Sequence, residues 1–514
     1  MRAWLRRAAA GRVCPLAVLA LATLALGGCG ESGGINAAGG RARDATPEWS
    51  APNADLRNTR SIASAIDGGD VAGLRVAWTV PLRGTYAATP VVSDGVVYTA
   101  DLMSNVYAVA LDSGRPLWRA DVEQSDTGPN GVNVADGRVF AVTPSSAFAL
   151  DARTGRQLWS TALVRGPGEL IVMTPGYEDG VVFVSTVPSV GGDVGTLWAL
   201  DARSGRRLWR WEEVPRGLWG QPSVNGGGGL WHPPAFDGRG GLYVGVANPT
   251  PWPGTDEQPW GRSRPGPNRW NNAIVKLDAR TGRFLWGRQA LPHDLYDWDL
   301  ECPIVLVTAG GRHVALASGK LGIVFAYDAD SGALLWKRSV GIHNGHDDDA
   351  VRAMHGDYAN IGYGRRIYPG DWGGVETQMA SDGTTVYVPV NNLYAVYRRQ
   401  TLPEQQDPLK GTGEVVALDV ATGRVRWDRR LPHGVYGGAT VTNDLVFTTT
   451  YDGTVWALDR RTGAPVWHGP LPAGSIAPVA ISGDTLLTAG AMPLAPSQRT
   501  ELVAYRLADA GGRG

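Results

Sequence analysis

Three cysteines in 514 residues cannot make a disulfide-stapled fold. No C-x-x-C-H spacing occurs, which excludes a covalently attached c-type haem. There is no basic stripe to track phosphates, so nucleic acid is not an expected partner. No P-loop, Rossmann fingerprint or serine nucleophile elbow stands in a supporting context. What is abundant is glycine, 70 residues, with 34 proline and 20 tryptophan. That composition describes a turn-rich all-β chain, long enough to bury a large core.

The first residues read as a targeting segment. Arg2, Arg6, Arg7 and Arg12 precede an apolar run from Leu16 to Leu26, which is too short to span a bilayer. Leu26-Gly27-Gly28-Cys29 follows and resembles a bacterial lipobox, which implies cleavage after residue 28 and lipidation of Cys29. Residues 29–46 are rich in Gly and Ala with few large apolar residues and are expected to act as a flexible tether. The expected location is outside the cytoplasm, anchored to the bacterial cell membrane through Cys29. Cleavage removes four Arg and no acid, leaving 44 basic against 49 acidic residues. Cys14 leaves with the signal and Cys29 is acylated, so Cys302 has no intrachain partner.

From residue 47 onward the chain repeats itself. Ala149 to Gly155 leads to Trp159, and the same A-x-D-x-x-[TS]-G frame returns at Ala199 with Trp209 and at Lys276 with Trp286. It recurs at Ala326 with Trp336, Ala417 with Trp427 and Ala457 with Trp467, while a looser copy ends at Gly114 and Trp118. Each copy reads as a hairpin: the Asp accepts turn N–H groups, the Gly supplies positive φ, and the Trp lies on the returning strand between neighbouring sheets. An eighth copy is split, with Leu74–Trp78 as an outer strand and Glu501–Leu507 as an inner one. Pairing them removes an exposed sheet edge. The predicted fold is all-β, an eight-bladed β-propeller over 47–514 closed by its N- and C-terminal strands. The long gaps between Trp209 and Trp286 and between Trp336 and Trp427 mark insertions, which gather on a binding face in repeat proteins.

One stretch departs from the repeat. Val246 to Leu300 carries Asn248-Pro249, Trp252 and Trp260, and then the polar run His293, Asp294, Asp297, Asp299. Large rings and acids held together cost entropy that a solvated loop does not recover. Asp297 and Asp299 are two apart, so on an extended chain they project the same way and one ion meets both. His343, His346, Asp347, Asp348, Asp349 and His355 form a second polar group with metal-ligand chemistry.

The frame and this stretch together resemble the quinoprotein, pyrroloquinoline quinone (PQQ)-dependent alcohol dehydrogenases, over nearly the whole of 47–514. Residues Glu48 to Arg60 are similar to that family's opening segment. The resemblance implies Trp231 as the aromatic floor under the quinone, Asn248 as a metal ligand, and Asp297 as catalytic base and ligand. It implies Asp299 as the extra acid of lanthanide-using members, Lys320 as the cation against the quinone oxygens, and Glu376 as a polar group facing the cofactor. The implied cofactors are PQQ and a calcium or lanthanide ion. The implied partners are an alcohol or hydroxyl-bearing polymer as substrate and a separate electron acceptor. Two departures stand out: Val190 falls where the family has a ligating Glu, with Asp193 as a displaced substitute, and the family's adjacent-cysteine disulfide is absent. A non-catalytic propeller scaffold for envelope proteins or polymers is the alternative, and a carbohydrate-binding module a third.

Overall fold

Asp151 shows how the frame folds. Its Oδ1 accepts the backbone N–H of Thr154 (2.9 Å) and the Thr154 hydroxyl (2.7 Å). Gly155, at φ +70°, closes the turn by donating to the Asp151 carbonyl at 2.8 Å. Asp201, Asp278, Asp328, Asp419 and Asp459 make the same pair of bonds to Ser204, Thr281, Ser331, Thr422 and Thr462.

The tryptophan of one copy reaches into the turn of the next. Trp159 Nε1 donates to the Ala202 carbonyl at 3.0 Å. Its ring covers Gly205 so closely that a Cβ there would sit 2.6 Å from Cε3. Trp118 meets Gly155 in the same way, Trp209 meets Gly282, Trp336 meets Gly423 and Trp427 meets Gly463. The frame glycine therefore serves twice: it takes a left-handed φ, and it leaves the flat seat on which the preceding tryptophan lies.

The computed structural model describes residues 47–508 apart from 189–190, 216, 218, 253, 360 and 399–402. The expected signal segment, Cys29 and Val190 lie outside the described residues. Among the described residues eight antiparallel sheets follow one another: I (91–120), II (133–162), III (176–212), IV (235–289), V (305–339), VI (380–431), VII (440–470) and VIII, in which 480–507 is joined by 74–81. Leu74–Pro81 pairs antiparallel with Glu501–Leu507, from Leu74 opposite Leu507 to Pro81 opposite Glu501. Sheet III carries an extra two-residue strand, Glu169–Leu170. The fold is thus all-β and propeller-like. The core lies between successive sheets, as where Phe183 of sheet III meets Phe236 of sheet IV at 5.2 Å. Among the described residues no helix is long and apolar enough to cross a membrane.

The two expected insertions hold a small pairing of Gly226–Gly227 with Pro249–Thr250, a three-stranded sheet of Arg366–Ile367, Ala395–Val396 and Glu404–Gln405, and a short helix, Asp349–Met354.

The leading segment 48–66 is bonded to six of the sheets. Main-chain bonds join Trp49 to Val92, Leu56 to Phe236, Arg57 to Leu306, Thr59 to Ser381, Arg60 to Val441 and Ala65 to Gly483. Arg60 is fully buried. Its guanidinium donates to the carbonyls of Ala439 and Val479 (both 2.7 Å), to Thr440 Oγ1 (2.8 Å) and to Asn53 Oδ1 (2.9 Å). Burial pulls its pKa down to about 9, and oxygen dipoles do the work of a counter-ion.

Candidate functional site

Strand alternation decides which side chains can meet. In sheet V, Val305–Ala309 and Arg312–Ala317 are joined by a tight turn at one end, and the return to Ile323–Asp328 through 318–322 lies at the other. Links between consecutive sheets fall at that second end as well. Lys320 sits in the return of sheet V, and Asn248 in the return of sheet IV. Asp297 and Asp299 lie in the link from IV to V, Trp231 in the link from III to IV, and Glu376 in the link from V to VI. All six predicted site residues in the described part of the chain therefore share one end of the fold.

There the chain brings an amine and several acids together. Lys320 Nζ lies 2.7 Å from Asp299 Oδ2, 3.2 Å from Asp297 Oδ2 and 3.9 Å from Glu301 Oε2. Asn248 joins the same acids from sheet IV: its backbone N–H donates to Asp299 Oδ1 (2.6 Å) and its amide to Asp297 Oδ1 (2.5 Å). Lys320 Nζ is 6.0 Å from the centroid of the half-buried Trp231 ring. The approach needs Gly319, where a Cβ would strike the Asp299 carbonyl; that carbonyl accepts Lys320 N–H at 3.0 Å.

Burial sets the electrostatics. It raises Asp299, Glu301 and Glu376 above the usual carboxylate range, because a low-dielectric site disfavours charge. Burial alone would lower Lys320, yet the charges of Asp297, Asp299, Glu301 and Glu376 outweigh it and hold the amine well above its ordinary value. Among the described residues Lys320 is the one ammonium set among these four acids.

Neighbours fix the acidic run. Asp294 Oδ1 accepts the N–H groups of Tyr296 (3.1 Å) and Trp298 (3.2 Å), and Asp297 between them takes φ +62°. Tyr296 and Trp298 face the insertion: Tyr296 Oη donates to Asp349 Oδ2 (2.5 Å), and Trp298 Nε1 donates to the Pro369 carbonyl (3.0 Å). His293 sets its ring nitrogens against the carbonyls of Gly266 (3.1 Å) and Trp260 (3.2 Å), and burial pulls it down to about 4.

Three expectations need correction or extension. The histidines of 343–355 do not form one centre: His343 pairs with Asp347 (2.8 Å) and His346 with Asp349 (2.9 Å). Among the described residues Asp193 shows no bond to Asn248, Asp297 or Asp299. Its carboxylate packs beside Gly166, and its carbonyl accepts Gly227 N–H (3.0 Å). Glu301 was missed, although the alternation Asp297-x-Asp299-x-Glu301 points to it as plainly as to Asp299.

The donors fit a hard cation chemically, since an amide and carboxylates supply the oxygens such an ion takes. Glu301 Oε1 and Glu376 Oε1 are buried with no hydrogen-bond partner, the mark of a set not fully satisfied by the protein alone. Among the described residues no three His, Cys, Asp or Glu side chains surround a single point as a metal centre; the central positive charge is Lys320's own. For a flat anionic ring, the half-buried indole and the adjacent ammonium supply a face and a counter-charge.

Comparison with known proteins agrees in scope. Residues 49–337, more than half of the chain, match the family described as "Glucose/ethanol/alcohol dehydrogenase, beta-propeller domain", and residues 322–512 match "Outer membrane protein assembly factor BamB". The chain is 26% identical to methanol dehydrogenase [cytochrome c] subunit 1 of Methylorubrum extorquens, over 86% of this chain and 82% of that one. It is 27% identical to the quinohemoprotein alcohol dehydrogenase of Comamonas testosteroni, over 56% of this chain and 46% of the relative. The solved structure of the Comamonas enzyme superposes with a TM-score of 0.77 at 23% identity, covering 91% of this chain and 81% of that one. The polyvinylalcohol dehydrogenase of a Sphingopyxis strain is 25% identical over 80% of this chain and 65% of its own length.

Proposed function

The chain belongs to the glucose/ethanol/alcohol dehydrogenase β-propeller family, and from that premise we propose that it is an exported, lipid-anchored dehydrogenase that uses PQQ to oxidise an alcohol or a hydroxyl-bearing polymer. The observation that carries the reading is the meeting of Asn248, Asp297, Asp299 and Lys320 within hydrogen-bonding distance, from three separate connections. Buried polar groups with no ligand to serve are a burden that a bare scaffold has no reason to bear.

Asp297 is the base in this reading. Its carboxylate takes the substrate hydroxyl proton, and the Asn248 amide and Lys320 hold it in place. PQQ, when bound, supplies the two-electron acceptor for the hydride. Trp231 offers the face on which such a ring rests, Lys320 the cation for its oxygens, and Glu376 a polar neighbour. Asn248, Asp297 and Asp299 would hold the calcium or lanthanide ion. With no haem attachment site, electrons leave to a separate acceptor. The eight sheets are read as blades of one closed ring. In support, each sheet's tryptophan leans on its successor, and Trp78 of sheet VIII donates to the Leu111 carbonyl of sheet I at 3.0 Å.

The test is reconstitution of the purified protein with PQQ and either calcium or a lanthanide, followed by dye reduction with a panel of alcohols. Asp297→Asn is expected to lose 10²- to 10⁴-fold in rate, the usual worth of a positioned base, while the visible spectrum still reports bound quinone. No quinone uptake with either ion would end the reading. A second reading, a non-catalytic scaffold, is favoured by the match of 322–512 to an outer-membrane assembly factor. It requires Asp297→Asn to leave the cellular role intact.

A further inference from the structure

We propose that Lys320 is an internal cation competing with the metal ion for Asp297 and Asp299, and that Glu301 and Glu376 form the second seat onto which its ammonium moves when the ion binds. The inference rests on the dehydrogenase reading for the identity of the competitor, and on the following geometry for the rest.

Asp297, Asp299 and Glu301 alternate with Trp298 and Leu300, and their carboxylates form a row around Lys320 Nζ, at 3.2, 2.7 and 3.9 Å. Such a row offers two places for positive charge, one between the first two acids and one at the third. Lys320 now occupies the first place, at 3.2 Å and 2.7 Å from Asp297 and Asp299. The second is close at hand, with Glu301 Oε2 at 3.9 Å from Nζ. A movement of roughly 1 Å would bring that pair to the length of a charge-assisted hydrogen bond.

The second seat has open acceptors. Glu301 Oε1 and Glu376 Oε1 are both buried without a hydrogen-bond partner, and Glu301 is 5% exposed. Buried acceptors left unmade are expensive, and an ammonium carries three donors. Lys320 is itself 8% exposed, so it has no short way out to water. An ion of two or three positive charges cannot share Asp297 and Asp299 with an ammonium at hydrogen-bond distance without strong repulsion. The flexible four-carbon stem lets the amine yield. Its new position keeps the ammonium inside the site while freeing the oxygens the ion takes.

The experiment measures ion binding alone, without quinone, on the full chain. Calcium is followed by calorimetry and terbium by sensitised luminescence. Lys320→Met, with Lys320→Gln as the second neutral variant should the first fail to fold, is expected to bind the ion at least tenfold more tightly than the parent. Glu301→Gln combined with Glu376→Gln is expected to weaken binding at least tenfold when Lys320 is present. In the Lys320→Met background it weakens binding less than threefold, because no amine then needs a seat. Equal or weaker binding by both neutral variants overturns the proposal, as does an equal loss in both backgrounds. If the parent binds the ion and Asp297→Asn abolishes that binding, those two results strike this inference alone. If neither the parent nor a neutral variant binds any ion, the metal assignment and the competition fall together.

Discussion

The carboxylates of the repeated turns and those of the polar end make opposite use of one chemical group. Asp151, Asp201, Asp278, Asp328, Asp419 and Asp459 sit at the rim, where turn N–H and hydroxyl donors, joined by Arg426 at Asp419, hold them below the ordinary range. Asp299, Glu301 and Glu376 are enclosed, and the loss of water raises them. The first set is charged because local donors are built into a seven-residue frame. The second must share one amine delivered from another sheet. The difference teaches that an acid's role follows from the donors and water around it, and that stability is secured by repetition while chemistry sits where repetition is interrupted.

The contrast can be broken most forcefully on the repeated side. Trp159→Ala removes a buried indole and its bond to Ala202; a loss of about 3–5 kcal/mol is expected, read as a lower urea midpoint. Next come two glycines of nearly equal φ. Gly155→Ala must displace the Trp118 ring, whereas Gly137→Ala, at φ +68°, meets nothing within 4 Å. The second change is expected to cost about 1–2 kcal/mol for its backbone alone, and the first about 1–3 kcal/mol more for the clash. Equal losses would show that the glycine seat carries no packing role.

The acid side is sharpened by Asp126, a buried carboxylate outside the site. Burial pushes it up to about 7 against the Thr127 N–H and the Asn130 amide. An unfolded aspartate titrates near 4, so the folded state alone holds this proton between about pH 4 and 7. Stability then declines as pH rises through that window, by up to about 1.4 kcal/mol per unit, and levels off above it. Asp126→Asn is expected to flatten this slope in unfolding titrations, with the unpartnered Asn130 Oδ1 turning to accept the new amide. The smallest effect belongs to the exposed Arg239–Asp330 pair at 2.8 Å. Arg239→Gln is expected to change stability by under about 1 kcal/mol.

Much of this was legible in the chain. Seven tryptophan frames and a split eighth gave the sheets and the pairing of 74–81 with 501–507, because each frame is local and periodic. The second role of the frame glycine was hidden, since the ring that lies on Gly155 is Trp118, 37 positions earlier. Asp297 and Asp299 were visible as neighbours in sequence, but Asn248 reaches them across about fifty residues and Lys320 across about twenty. Only strand alternation places those connections at one end. Glu301 was visible and overlooked, its alternation read two positions short. The burial of Arg60 gave no signal, because a guanidinium satisfied by neutral oxygens needs no acidic partner to betray it.

The stretch from Trp49 to Ala65 has a further consequence. Arrays of stacked repeats tend to unravel piecemeal, because each module answers only to its neighbours. Here, peeling away sheet V or sheet VII tears a backbone bond to a strap that five other sheets also grip. Damage to one repeat is thereby felt by modules it never touches, and the array is expected to melt as a single cooperative body.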